Sequence, residues 1–491
     1  MSFQSAGFFA FFALTLLVYH RVPERAKAPL LLAANLFFYA QAGMGHLALL
    51  AAAVLLSYGA ARGLARLRDG GPRKALLAAA LVLLVGNLCF FKYYNQLGAA
   101  LNSIAAGAGL PELLPDQGMA PPLGISFYTF LLMAYLIDQY RRNYLPEKNL
   151  VRFAAFATFF PLISSGPIER GDGLLPQMER PEAFSYEAFC QGASRMLWGF
   201  FKKFVIADTL GGMVGAVFGR PDAYAGPYLA LAALLYSYQL YCDFSGYSDI
   251  AIGAARALGY RVRENFNRPF AARSFNDLWK RWHNSLTGWF REYLYFPLGG
   301  SRRGAARTYV NIVIIFLVSG IWHGTGMTFA VWGLMNGVYM AVGRATQGPR
   351  AALAARNPLY RNRAVRAVLQ IACVYLLFTS CIVFFRAATM ADALYIYGHI
   401  FTGWGEALAS PSGVIAALKS MGIGRVTGLL MLVSIVGCEL VEWRASRAGR
   451  DTGLWMRGLP AGRRLALYYG VALLVLAFGK MGTSSFIYFN F

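Results

Sequence analysis

The sequence predicts an all-α integral membrane protein that crosses the bilayer many times. Three observations carry that expectation. Hydrophobic residues make up 57% of the 491 and charged residues only 14%, a balance far too apolar for a soluble chain of this size. The apolar residues fall into runs, and a bilayer crossing needs roughly 20 of them. The net charge of +23 is mostly arginine, and the arginines gather in short loops between the apolar runs, the pattern of cytoplasmic loops. A nucleic-acid partner is not implied. The six cysteines (Cys89, Cys190, Cys242, Cys373, Cys381 and Cys438) show no CxxC or other ligand spacing. They are expected to be buried small hydrophobes, with no disulfide framework and no metal site.

The elements follow in order. A first span covers 3–19 and is followed by "HRVPERAK". The charge comes after the apolar run and no small-residue cleavage site appears, so this is an N-out span and not a signal peptide. Spans at 28–42 and 46–61 are closed by "RGLARLRDGGPRK", with Arg62, Arg66, Arg68, Arg73 and Lys74. Span 75–95 leads to a segment, 96–122, that holds Glu112 and Asp116 and no Lys or Arg. Span 123–140 returns to "RRNY". Beyond the middle of the chain, basic loops at 344–366 and 443–464 flank spans near 367–386 and 426–442. A last span near 465–480 leaves "SSFIYFNF" outside. The chain divides into N-terminal helices (1–150), a core (151–343) and C-terminal helices (344–491).

In the core the apolar runs are interrupted. "FATFFPLISSGPIERG" carries two prolines and a Ser-Ser-Gly, so it is not one straight lipid-facing helix. A broken segment at membrane depth is tolerated where protein buries it or where it lines a cavity. "LLYSYQLYCDFSGYSDIAIG" places Asp243 and Asp249 in a span-like run. Carboxylates in a bilayer face a cavity or a partner. They either hold neighbouring helices together or take part in chemistry, and the first reading is the better supported. Next, "NDLWKRWHNSLTGWFREYLYFPLGG" (276–300) repeats Trp279, Trp282, Leu286, Trp289, Phe290 and Tyr293 at spacings of three and four, with Lys280, Asn284, Thr287 and Arg291 on the other face. That pattern predicts an amphipathic helix in the interface, with His283 on its apolar side. Arg302, Arg303 and Arg307 then form a cytoplasmic basic patch. Finally, the uncharged "YVNIVIIFL" runs into "VSGIWHGTGMTFAVWG", which places His323, one of only five histidines, in an apolar run.

Six stretches in this order resemble the membrane-bound O-acyltransferase (MBOAT) family, in the branch of alginate O-acetylation proteins. They are "PLGISFYTF", "FPLISSGPIER", "YCDFSGYSDIAIG", "ENFNRPF", "LWKRWHNSLTGWFREYLYFPLGG" and "SGIWHG". The resemblance implies a ring of roughly 10–13 transmembrane or re-entrant helices around a central funnel where the bilayer is thin. It maps the family's hallmark histidine onto His323 and a second polar position, His or Asn in relatives, onto His283. Relatives of this branch act on teichoic acids, peptidoglycan and cellulose as well as alginate.

Acyl transfer to a hydroxyl needs a base for the hydroxyl proton, and histidine has the right intrinsic pKa near neutrality. A lined cavity excludes competing water, and Gly324 and Gly326 are expected to allow close backbone approach. One departure matters. Where relatives place a second histidine, this chain reads "WGLMNG". Asn336 hydrogen-bonds but is no base at neutral pH, so a supporting hydrogen bond is expected of it. Asp243, Asp249 and Asn284 are the other supporting polar groups. If the helix 309–323 starts at the cytoplasmic face, His323 lies about 22 Å along it, past the midplane of a ~30 Å core.

The expected function is that of a bacterial inner-membrane O-acetyltransferase with both termini outside. Acetyl-CoA serves as the cytoplasmic donor substrate, with no bound cofactor. Lys280, Arg281, Arg291, Arg302 and Arg303 are candidates for holding its phosphates. The final acceptor is an extracytoplasmic polysaccharide. The outward segments, 96–122 and 387–425, are too small to bind a glycan, and members of this branch work with an extracytoplasmic protein. A periplasmic partner of the SGNH/GDSL acetyltransferase type is therefore expected. Two other classes stay open at this level. A transporter also shows broken helices and intramembrane carboxylates, although no second copy of the DFSGYSD or WHG stretches is present. A non-catalytic export scaffold would need no particular histidine.

Overall fold

The computed structural model describes residues 1–491 apart from 2, 117, 119, 358, 359, 361, 481–485 and 488–491. Of "SSFIYFNF", placed outside the membrane above, all but Phe486 and Ile487 lie outside the described residues. The chain is helical, with short 3₁₀ and π stretches and no strand among the described residues. Among the described residues, six helices are long and apolar enough to cross a membrane: Met44–Arg66, Gly71–Gly107, Ala305–His323, Arg363–Arg386, Arg425–Arg447 and Ala461–Phe478. Shorter helices, Ala6–Tyr19, Glu24–Ala40 and Ile125–Arg141, fill the other expected N-terminal spans. The protein is a multi-pass membrane protein.

One span is longer than its sequence suggests. Gly71–Gly107 has 37 residues, about 55 Å of helix, well beyond a ~30 Å hydrocarbon core. The residues from 96 to 107 contain no proline, and the helix continues where a loop was expected. Asn102 then holds the chain that turns back beneath it, accepting from the Leu113 and Leu114 amides at 2.9 and 3.0 Å.

Two compact units make up the chain: Met1–Gly192 with Ala251–Arg263, and Ala193–Ile250 with Glu264–Phe491. In the first unit the proline-interrupted segment is broken and buried in protein, as its sequence requires. Helix Leu150–Ala157 starts where the Asn149 side chain accepts from the Arg152 amide and gives way to turns whose residues are buried through Ile168. Asn35, fully buried, stitches that break. It donates to the Ala155 carbonyl (3.0 Å) and Thr158 Oγ1 (3.2 Å) and accepts from the Phe160 amide (3.0 Å). Gly124 has φ +68°, and a Cβ there would meet the Ile163 carbonyl oxygen at 2.0 Å, so both conformation and contact demand glycine.

The second unit is organised around a tight helical hairpin, Ala305–His323 and Met327–Ala345. Small residues let the two backbones touch. A Cβ on Gly320 would meet the Phe329 carbonyl oxygen at 2.3 Å, one on Gly333 the Phe316 carbonyl oxygen at 2.4 Å, and one on Gly337 the Val313 Cα at 2.9 Å. This is the small-residue packing that joins helices in lipid, where burial of apolar surface gives little drive. The close approach expected at Gly324 and Gly326 is thus relocated. Gly324 abuts only the Phe329 ring, at 2.2 Å, and Gly326 has no neighbour nearer than 3.4 Å. The cysteine expectation also needs correction. All six are free thiols and Cys242, Cys381 and Cys438 are buried, but Cys89 and Cys373 are exposed, on the outer faces of two apolar spans.

Candidate active site

His323 is the last residue of Ala305–His323. It is 5% exposed and sheathed in aromatic rings. Trp332 stands almost perpendicular to it at 5.1 Å between centroids, and Phe385 closes the other side at 5.4 Å. Trp332 and Phe385 also meet edge to face at 5.2 Å. The hairpin explains the placement. Its glycines bring Met327–Ala345 close enough for Trp332 to cover the end of the first helix. Asn336 lies one turn beyond Trp332, fully buried, and its amide donates to the Trp332 carbonyl at 2.7 Å. The helix that delivers His323 runs 19 residues, about 28 Å, and Arg307 stands in its first turn, at the end away from the imidazole.

The amphipathic helix expected over 276–300 is not one helix. Phe275–Trp279 stops, the chain turns, and Asn284–Phe290 starts afresh from His283, followed by a π-helical turn at Arg291–Tyr295. His283 itself takes the left-handed conformation, φ 45° and ψ 56°, and caps the new helix by accepting from the Leu286 amide. Left-handed backbone at a non-glycine residue costs on the order of 1–3 kcal/mol and persists where surroundings enforce it. Here they do. Fully buried Asn265 accepts from the Ser285 hydroxyl (2.8 Å), donates to Ser248 (3.1 Å), and takes the Asn284 amide on its carbonyl (2.9 Å). The two faces still sort as the spacing indicates: Trp279, Trp282, Leu286, Trp289, Phe290 and Tyr293 are buried, while Lys280 and Arg291 are exposed and Asn284 and Thr287 half-buried. His283 packs edge to face on Phe244 at 4.6 Å. It lies outside the six apolar spans, and burial pushes its imidazole down to about 3, so it is neutral at physiological pH.

Asp243 and Asp249 lie on helix Gly226–Ala257 and face cations, not a cavity. Lys203 bridges Asp243 (2.5 Å) and Asp208 (2.8 Å). Lys202 bridges Asp249 (2.5 Å) and Glu442 (3.1 Å). Arg195 holds the other oxygen of Asp249 at 3.0 Å and grips Glu264. Tyr241 donates to Glu442 at 2.5 Å, and the Ile487 amide donates to Asp243 at 3.0 Å. Consecutive lysines face inward together because Phe201–Ala207 is a π-helical stretch, whose i→i+5 bonding widens the turn. Glycines complete the fit: a Cβ on Gly199 would meet the Gly246 carbonyl oxygen at 2.6 Å. The partners Lys202 and Lys203 have a sequence signal of their own, two adjacent charges inside "WGFFKKFVIADTL", which the carboxylate-centred reading passed over.

The donor-binding candidates are not gathered by contacts of their own. Arg281 is half-buried and paired with Asp277 at 2.8 Å. Lys280, Arg291, Arg302 and Arg303 are exposed, and the Arg303 side chain lies over Gly299.

An apolar multi-span chain that buries a histidine at the head of a glycine-packed hairpin has the makeup of a membrane acyltransferase. The profile of the membrane-bound O-acyltransferase family matches residues 37–388, and the chain belongs to that family. It is 38% identical over 351 residues to a probable alginate O-acetylase of Azotobacter vinelandii, covering 70% of this chain and 69% of the relative. A probable alginate O-acetylase of Pseudomonas aeruginosa is 38% identical over 365 residues, 73% of this chain and 69% of the relative. A peptidoglycan O-acetyltransferase of Helicobacter pylori is 32% identical over 368 residues, 69% of each. The protein is an O-acyltransferase, and the transporter and scaffold alternatives fall away.

Proposed function

We propose that this O-acyltransferase takes acetyl from acetyl-CoA at the cytoplasmic face of a bacterial inner membrane and delivers it to an extracytoplasmic polysaccharide. The names of the relatives support an acetyl group and a cell-surface polymer. His323 is the base. The observation that carries this is its position: the buried imidazole ends a helix about 28 Å long, whose other end carries Arg302, Arg303 and Arg307. With those arginines cytoplasmic, the hairpin reverses at its outward end, and both termini and the 96–122 segment lie outside. The hydroxyl acceptor then approaches from outside while the thioester arm reaches up from the cytoplasm. His283, neutral and buried, is the second polar group, and Asn336 supports Trp332.

The outward segments remain small. Within 387–425 the structure has only three short helices, Met390–His399, Trp404–Ala409 and Pro411–Ser420, so glycan binding falls to an extracytoplasmic acetyltransferase partner of the SGNH/GDSL type. The test uses inverted membrane vesicles from the host, which present the cytoplasmic face to added [acetyl-¹⁴C]-CoA. Label should reach polymer in wild-type vesicles and not in His323→Ala vesicles holding the same amount of protein. Equal labelling in both would overturn the assignment.

A further inference from the structure

We infer that the indole N–H of Trp332 is the donor that stabilises the oxyanion formed during acyl transfer; this rests on His323 being the base. Attack on a thioester puts a negative charge on the former carbonyl oxygen, and acyltransferases meet it with N–H or O–H donors placed in advance. A buried side chain beside His323 offers such a donor. Trp332 is 3% exposed, touches His323 ring to ring at 5.1 Å, and its Nε1 has no hydrogen-bond partner among the described residues. A second indole repeats the pattern. Trp279 is 8% exposed, sits 6.0 Å from Trp332, and its Nε1 is likewise without a partner among the described residues. Leaving a buried donor unsatisfied costs about 1–3 kcal/mol, and Trp normally finds a partner for its N–H when buried. An acceptor that arrives with the substrate accounts for the N–H beside the histidine.

Ring packing holds Trp332: Phe385 meets the indole edge to face, while the Asn336 amide is occupied by the backbone carbonyl of Trp332 on the same helix. The step balances without further reactants. A ring nitrogen of His323 takes the acceptor hydroxyl proton as the oxygen bonds to the thioester carbon. The carbonyl π pair moves onto oxygen, where the Trp332 N–H donates to it. The pair returns, the carbon–sulfur bond breaks, and the departing thiolate takes the proton from the imidazolium. Trp332 itself exchanges no proton.

The discriminating variant is Trp332→Phe, which keeps an aromatic wall and removes the donor. In inverted vesicles, kcat should fall about 10²–10³-fold, the range for losing one oxyanion donor, while KM for acetyl-CoA and the pH profile of kcat/KM stay as in wild type. If the smaller ring loosens the hairpin and protein is lost, benzothienylalanine introduced at 332 by suppression replaces N–H with sulfur at nearly constant shape and should show the same drop. Wild-type kcat in either accumulating variant overturns the inference. His323→Ala is run beside them. If it is inactive while Trp332→Phe turns over normally, only the oxyanion assignment fails; if it is active, the base assignment fails and takes this one with it.

Discussion

The second unit buries polar groups in two places, and it treats them in opposite ways. Around Lys202 and Lys203, charge is answered by charge: Asp208, Asp243, Asp249 and Glu442 each meet an ammonium, with Arg195, Tyr241 and a backbone amide joining in. Around His323 lie the rings of Trp322, Trp332 and Phe385, and the indole N–H groups of Trp332 and Trp279 have no partner among the described residues. The first region spends its polarity on holding helices together. In the second, the proposed oxyanion donor is left for substrate. A carboxylate in a span therefore says little about function by itself, because here the protein supplies its partners.

The largest effect is expected at the proposed base. His323→Ala should lower polysaccharide acetylation by about 10²–10⁴-fold, the usual loss for a general base, with unchanged protein in the membrane fraction. Acetate released from purified polymer and an immunoblot measure the two. Normal acetate content would erase the contrast between the regions.

In the ion network the expectation reverses. Lys203→Met leaves Asp243 and Asp208 without their cation, and breaking a buried pair costs roughly 3–5 kcal/mol, so the protein should fail to accumulate. Asp243→Asn is gentler, since Lys203 keeps Asp208 and an amide oxygen still accepts. That variant should accumulate nearly normally and retain its kcat. Full accumulation of Asp243→Asn with lost turnover would instead make Asp243 part of the chemistry and dissolve the distinction.

How much of this could be read beforehand follows the range of each interaction. The spans follow from composition, and the break after Ala157 follows from Pro161 and Pro167, because those signals are local. The break at His283 was not legible: "WKRWHN" holds no glycine or proline, and the turn is held by Asn265 and Asn267, distant in sequence. His323 was found through its resemblance to a family motif. The pairing of Lys203 with Asp243 spans 40 residues, and no periodicity reports it. That the Trp332 indole nitrogen has no acceptor among the described residues is a property of packing alone.

The hairpin that separates the two treatments can be loosened directly. Gly333→Ala places a methyl against the Phe316 carbonyl oxygen, which a Cβ would approach to 2.4 Å. Overpacking of this kind costs about 1–3 kcal/mol, so thermal unfolding in detergent should begin at lower temperature. Turnover should fall in proportion to the displacement of Trp332 from His323. Gly326→Ala, with 3.4 Å to its nearest neighbour, is the control and should change neither. Equal loss in the two variants would mean that the hairpin contact does not position the site.

The smallest effect concerns polar groups of a third kind, neither answered by protein nor enclosed by it. Arg302 and Arg303 are exposed at the end of the hairpin away from His323. If they hold the phosphates of CoA, their planar forks matter; if they only orient the chain, any positive charge serves. Arg302→Lys combined with Arg303→Lys keeps the charge and loses the bidentate geometry. The donor-binding reading expects a raised KM for acetyl-CoA, an unchanged kcat at saturating donor, and unchanged labelling of outward-facing cysteines in intact cells. The same exchange at Arg281 should do less, because Asp277 already occupies that guanidinium at 2.8 Å. An unaltered KM in the double variant would assign these arginines to topology alone, and the donor would then have to be held where the chain is buried, nearer the rings than the loops.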